Sequence, residues 1–274
     1  MPERPNGAED HARAISNHPA WRRVDPPRGP RDASYSAVVL VETVEATVFG
    51  TNCHVVAPGP GEECVVVDPG VDVLDRLTEV LRRHRLRPAA VVLTHGHVDH
   101  TFSVTPVCGA HGIAATIHAD DAHRLRDPLA GLGEPLRQAL TAAVGHTTWR
   151  EPDDVVTVGD RAVLEVAGLR LDVSHAPGHT EGSALFSVAR PGEPDLLLSG
   201  DVLFAGSIGR TDLPGGDHRA MVRSLLTRIL PLDDATDVLP GHGPATTIGR
   251  ERATNPHLLQ LARLAAGGRD LLRD

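Results

Sequence analysis

Two β-sheets packed together with helices outside, an α+β fold, are predicted by three observations. Short aliphatic and β-branched runs cluster in two blocks, residues 36–94 and 154–200. Segments of helical period interrupt or follow each block. With 274 residues, 41% hydrophobic and 23% charged, the chain has the composition of a soluble globular protein. Strands, helices, strands, helices is the order that two layered sheets with outer helices require.

Taken in order, residues 1–34 are rich in Pro, Arg and Asp without apolar periodicity, and read as a mobile arm or a partner-binding tail. Residues 35–274 read as a single domain. From Ser36, the runs AVVLVET, ATVFG and TNCHVVAP read as short strands, and after PGPG the run CVVVD ends at Asp68. VDVLDRLTEVLRRHR sets Val73, Leu74, Leu77, Val80 and Leu81 on one helical face, with Asp72 as N-cap. AAVVLT, residues 89–94, is a buried strand. The middle of the chain mixes helical segments with the short strand AATIH, and a Pro/Gly-interrupted helix covers about 128–145. A second β-rich block contains DVVTVGD, AVLEVAG, LRLDVSH, SALFSVAR and DLLLSGD. HRAMVRSLLTRIL forms an amphipathic helix, DVLPGHG a last short strand, and a C-terminal helix begins near Pro256.

Charge and composition exclude several function classes. Basic residues number 27 against 36 acidic, a net −9, and all 27 are Arg. That balance, with Trp 2, Tyr 1 and Phe 4, excludes a nucleic-acid partner that needs basic patches or stacking platforms. Cys53, Cys64 and Cys108 form no C-x-x-C pair, so a reducing, cytoplasmic setting is expected; a Cys53–Cys64 bridge across a hairpin is the disfavoured alternative. The first residues carry charges throughout with no signal-peptide core, and no run approaches the ~20 apolar residues of a membrane span, so no membrane partner is expected.

The enriched functional residue is His, 16 in all. LTHGHVDH places His95, His97, Asp99 and His100 directly after a buried strand. Imidazole and carboxylate suit Zn, Fe or Mn, and a rigid strand end can aim them. Along an extended loop His95 and His97 point the same way. Asp99 and His100, at the start of the next helix, turn toward a neighbouring point, a geometry that suits two adjacent metals. Three further strand ends deliver His179 in HAPGHT, Asp201 in LLLSGD and His242 in LPGHG. If those ends converge on one edge of a sandwich, all seven groups meet.

The pattern THGHVDH…PGHT…SGD…PGH resembles the metallo-β-lactamase superfamily over roughly residues 36–266. The resemblance implies a four-layer αββα sandwich with its metal site at one edge of the two sheets. It implies a first site of His95, His97 and His179, a second of Asp99, His100 and His242, and Asp201 bridging. The β-lactamases of the superfamily usually replace one of these positions. SGDVLFAGSIGRTDLPGGDH and PGHGPATTIGRERATNPHL are similar to the glyoxalase II-like, hydroxyacylglutathione hydrolase branch.

That branch implies a hydrolase with two divalent ions, zinc favoured by the Irving–Williams order and iron or manganese also accepted. Ions of total charge +4, set against Asp99, Asp201 and a bridging hydroxide, leave about +1 to meet an oxyanion. The hydroxide is expected to attack a small-molecule thioester, with Asp99 orienting it as a catalytic residue. Arg210 in SIGRTD occupies the place of a substrate carboxylate-binding residue, or else pairs with Asp212 to anchor its loop. Asp212 stands where an aromatic is usual, and the long C-terminal helical domain of the glutathione enzymes is absent. Glutathione, mycothiol and coenzyme A therefore all stay open as the thiol. A mononuclear iron persulfide dioxygenase is the alternative within the superfamily, followed by a lactone or phosphodiester hydrolase. Seven intact ligand positions oppose a non-catalytic binding module. His54, His84, His111, His118 and His146 read as structural or surface residues, and His175 as structural or as supporting a ligand. Asp68 either braces the His95–His100 loop or is a plain turn residue.

Overall fold

The structure is a computed structural model that describes residues 39–129, 133–145 and 149–266. The expected arm at 1–34 and His146 lie outside the described residues. The first half of the chain runs β1 (Leu40–Glu45), β2 (Asn52–Ala57), β3 (Glu63–Val67), α1 (Leu74–His84), β4 (Arg87–Val92), α2 (Val98–Thr101), α3 (Val104–His111) and β5 (Ala115–His118). A 3₁₀ turn (Ala119–Leu125), α4 (Glu134–Val144) and β6 (Val155–Val158) complete it. The second half is β7 (Val163–Val166), β8 (Leu169–His175), β9 (Ala184–Val188), β10 (Leu196–Gly200), the hairpin β11 (Leu203–Phe204) and β12 (Ser207–Ile208), then α5 (His218–Ser224) with a π turn (Leu225–Ile229). It ends with β13 (Asp237–Pro240), β14 (Thr246–Thr247), α6 (Ile248–Thr254) and α7 (Pro256–Ala266).

The strands form two six-stranded sheets, β1-β2-β3-β4-β5-β6 and β14-β13-β10-β9-β8-β7. Successive side chains of a strand face opposite sides, and here both sides are apolar. Val65, Val67, Ala90 and Val92 of the first sheet meet Leu171, Val173, Phe186, Leu196 and Leu198 of the second in one buried layer. Their alternates Cys64, Val66, Val91 and Leu93 pack beneath Leu77, Val80 and Leu81 of α1 and Val104 and Val107 of α3. Leu185, Leu197 and Val238 do the same against Met221, Leu225, Ile248, Leu258 and Leu261. Burial on both faces explains the continuous aliphatic runs, and makes the αββα layering a consequence of the pleat.

Three local expectations are corrected and one strand is added. ATVFG is a turn joining β1 to β2, closed by Ala46 N–H to Thr51 O at 2.7 Å, because Phe49 and Gly50 take left-handed φ of 68° and 66°. Asp72 is not the N-cap of α1: the cap is Val73 without a side-chain bond, and the Asp72 carboxylate accepts the Thr47 hydroxyl instead. β6, from the second β-rich block, joins the first sheet parallel to β5. β14, absent from the reading, pairs antiparallel with β13. The cysteines are free and buried, and the β2–β3 register, which pairs His54 with Val67 and Val56 with Val65, sets Cys53 and Cys64 apart along the hairpin. Burial pushes the Cys64 and Cys108 thiols up to about 12.

Phe186 is fully buried between the sheets. Phe186→Ala is expected to lower the unfolding free energy by about 3–5 kcal/mol in urea titrations. A change within about 0.5 kcal/mol, the range of a surface substitution, would show that the inter-sheet layer is not close-packed.

Candidate metal centre

The two sheets are joined at one edge by backbone hydrogen bonds. Ala184 N–H donates to Thr94 O at 2.9 Å and Asn52 N–H to Gly241 O at 2.7 Å, while Thr51 and His242 form an antiparallel bridge. This edge is where the expected residues arrive. His95 and His97 lie in the loop after β4, Asp99 and His100 in α2, His179 between β8 and β9, Asp201 after β10 and His242 after β13. Gly200, with φ of 48°, turns the chain so closely against Thr94 that a Cβ there would lie 2.4 Å from Thr94 Oγ1.

All seven residues converge. His95, His97 and His179 form one trio whose candidate ligand atoms lie within 4.8 Å of one another, and Asp99, His100 and His242 form another. His97 Nδ1 is 2.9 Å from His179 Nε2, and His100 Nε2 is 3.3 Å from His242 Nε2. Asp201 faces both trios: Oδ2 is 3.4 Å from His179 Nε2 and 3.5 Å from His242 Nε2, and Oδ1 is 3.4 Å from His100 Nε2. Asp99 Oδ2 lies 3.3 Å from His242 Nε2 and accepts the Thr51 hydroxyl at 3.2 Å.

Neighbouring acceptors fix the imidazole tautomers. Thr94 donates its hydroxyl proton to Asp68 Oδ2 at 2.6 Å, so toward His95 Nδ1, 3.1 Å away, it can only accept. His95 Nδ1 therefore carries the proton and Nε2 keeps a free lone pair. His100 Nδ1 bonds Asp68 Oδ2 at 3.0 Å and His179 Nδ1 bonds Arg210 O at 2.8 Å, each leaving Nε2 toward the cluster. His95 Nε2 and Asp201 Oδ1 are buried without a hydrogen-bond partner. Buried polar atoms are ordinarily paired. A lone pair and a carboxylate oxygen left over among imidazoles of set tautomer fit a divalent cation.

Charge divides the cluster. Burial, then repulsion from the other histidines, lowers His95 well below its usual value and His97 to about 3. Burial also lowers His179. Burial opposes protonation of His100 and His242 as well, but the Asp201 and Asp99 charges outweigh it at His100, and the hydrogen bond from His242 to Asp99 together with the Asp201 charge outweighs it at His242, so both are raised. Asp99 and Asp201, which burial alone would raise, are held below the usual carboxylate range first by His100.

Asp68 braces the ligand loop as well as turning the chain: it accepts Thr94 N–H at 2.8 Å and has φ of 49°. The Arg210 guanidinium pairs with Asp212 through bonds of 2.7 and 2.8 Å, and both side chains are mostly exposed, so the loop-anchoring pair forms while the Arg210 carbonyl reaches His179. His54 Nε2 bonds Pro240 O at 3.1 Å and His84 bonds Glu42 at 2.6 Å, both structural. His175 Nε2 bonds Glu181 O at 2.8 Å. That bond leaves His175 no Nε2 lone pair for a cation beside His118 and Asp120. Sequence reasoning missed Asn52, whose amide donates to Pro240 O and Gly243 O around His242, and the buried Asp121. Asp121 follows the end of β5, so the same strand-end signal could have found it.

Comparison with known proteins returns one family, the Metallo-beta-lactamase superfamily, matching residues 46–242. An uncharacterized Mycobacterium tuberculosis protein is 42% identical over 82% of this chain and its own full length. A hydroxyacylglutathione hydrolase of Haemophilus influenzae is 29% identical, covering 80% of this chain and 97% of that protein. The solved BLEG-1 B3 metallo-beta-lactamase is 36% identical with a TM-score of 0.68, covering 80% of this chain and 99% of its own. TTHA1623 in a di-iron-bound form is 34% identical with a TM-score of 0.63, covering 78% and 98%.

The His118 ring stacks on His175, centroids 3.9 Å apart and 12° between planes. Burial, then the His175 charge, lowers the His118 pKa from 6.5 to about 4. Between those values the unfolded chain binds a proton that folded His118 does not, so stability rises with pH there and is lost as pH falls through the window. His118→Asn, which keeps an acceptor for Asp120 N–H, is expected to flatten the decline in unfolding free energy from about pH 7 to 5. Urea titrations at fixed metal content read the slope. Coincident wild-type and variant slopes would contradict this.

Proposed function

The chain belongs to the metallo-β-lactamase superfamily, and from that premise we propose that it is a binuclear metal-dependent hydrolase of a low-molecular-weight thioester. One observation carries the reading: two trios of ligand-type atoms lie side by side with Asp201 facing both. In this reading His95, His97 and His179 would hold one divalent ion and Asp99, His100 and His242 a second, with Asp201 within reach of histidines from both trios. Such ions lower the pKa of a bound water to about 7 and polarise a carbonyl oxygen. Zinc follows from the Irving–Williams order, and the di-iron form of TTHA1623 supports iron as an occupant.

The protein supplies orientation and proton handling. Asp99 is 23% exposed against 9% for Asp201, so it is the carboxylate that solvent water reaches. With Thr51 donating to its Oδ2, Asp99 holds a fixed direction in which to accept the water proton. A thiolate leaves without strong acid assistance, which suits a cluster whose histidines are committed to ligation. The named activity of the Haemophilus relative supports a thioester, and BLEG-1 makes a β-lactam a necessary comparison substrate.

Metal analysis of the purified chain, paired with assays on S-lactoylglutathione, a glutathione persulfide and a β-lactam, tests the proposal. Two metals per chain with thioester turnover is the expected result. A single iron with persulfide-dependent oxygen uptake, or β-lactam turnover in place of thioester turnover, would overturn it. Asp99→Ala is expected to lose one metal and to lower kcat by about 10²–10⁴. Unchanged turnover in that variant would remove Asp99 from the chemistry.

A further inference from the structure

We propose that Asp121, a carboxylate outside the seven-residue cluster, is the positioning residue that sets the metal affinity of the His95, His97 and His179 trio. The inference rests on the proposed function, in which that trio holds a metal ion. Asp121 is fully buried. Its Oδ2 accepts Gly96 N–H at 2.8 Å and the Thr180 hydroxyl at 2.7 Å, and its Oδ1 accepts Gly182 N–H at 2.8 Å. Gly96 sits between His95 and His97, and Thr180 directly follows His179. One side chain thus ties together the two loops that carry the whole trio.

Those loops belong to different sheets: one leaves β4, the other links β8 to β9. One backbone bond, Ala184 N–H to Thr94 O at 2.9 Å, joins them where the strands end, and Asp121 joins the parts of each loop that carry the histidines. Arg124 extends the tie, with Nε 3.4 Å from Asp121 Oδ1 and Nη2 donating to Glu181 at 2.5 Å and to Pro214 O at 3.0 Å. The Asp99, His100 and His242 trio is held differently, by Asp68 on His100 and by Asn52 and His54 around Pro240 and Gly243. Loosening Asp121 should therefore weaken one trio and spare the other.

Asp121→Asn preserves size but turns one acceptor into an amide donor facing N–H or O–H donors. Cobalt(II) titrated into the metal-stripped full chain, followed by its visible absorption, reads both sites; H97A and H242A assign the two steps. The variant is expected to bind cobalt at the first trio about tenfold to a hundredfold more weakly, with an altered ligand-field spectrum and an unchanged second step. Equal weakening of both steps, as general loosening would give, or an unchanged first step overturns the proposal. Should D121N not fold, Thr180→Val removes one of the same bonds: a weaker first step supports the proposal and an unchanged one overturns it. A single cobalt step in the wild-type chain, or an H97A chain that loses neither of two steps, refutes the binuclear reading itself, and this inference with it.

Discussion

Five imidazoles and two carboxylates meet where both sheets end, and none of them is stable there alone. Taking an isolated charge out of water costs several kcal/mol, so buried charges are paired or bind metals. This cluster divides its charge by position. Asp99 and Asp201 favour the protonated form of His100 and His242, while burial favours the neutral form of His95, His97 and His179. Neutral imidazoles of fixed tautomer are ready ligands, whereas protonated ones must release a proton before they bind. The two trios therefore differ in chemistry before any ion arrives, although both draw on the same LTHGHVDH segment.

The sandwich makes that concentration of polar groups tolerable. Three apolar layers, one between the sheets and one under each set of helices, are close-packed and transmit position without giving way. Ligands set at the ends of such strands inherit their rigidity. Around them three of the five histidines are aimed by an acceptor that belongs to the scaffold: His95 by Thr94 and His100 by Asp68, both at strand ends of the first sheet, and His179 by the Arg210 carbonyl in the loop after β12. Asp68 serves twice, holding Thr94 with one oxygen and both Thr94 and His100 with the other.

The seven residues that converge were legible in the sequence because they depend on local facts: residue type, spacing, and a preceding aliphatic run that marks a strand. The layer order was legible for a similar reason, since strands apolar on both faces need cover on both. What escaped depends on partners distant in sequence. ATVFG has a strand's composition, but the left-handed backbone at Phe49 and Gly50 makes it a turn. DVVTVGD adjoins the second β-block in sequence yet pairs with β5, a choice made by sheet edges rather than by its own residues. Asp121 stands in ADDAH beside Asp120 and His123, and nothing in that string singles it out, because its donors come from two loops that only the folded chain brings together. Asp72 looked like a helix cap, but Thr47 on the preceding turn claims its carboxylate.

The loop after Asp201 separates what aims the cluster from what faces solvent. Its main chain is committed to the site. The Arg210 carbonyl fixes His179, and a Cβ at Gly209 would lie 1.8 Å from Asp201 O, so the backbone path tolerates little change. Its side chains are not so committed. Arg210 and Asp212 point to solvent as an exposed pair, and exposed pairs contribute little to stability. Substitution there can thus proceed without disturbing the carbonyl that aims His179. A cluster aimed by main-chain atoms beside a loop whose side chains are exposed can keep its geometry while those side chains change. The same fold can host several hydrolytic activities on that basis.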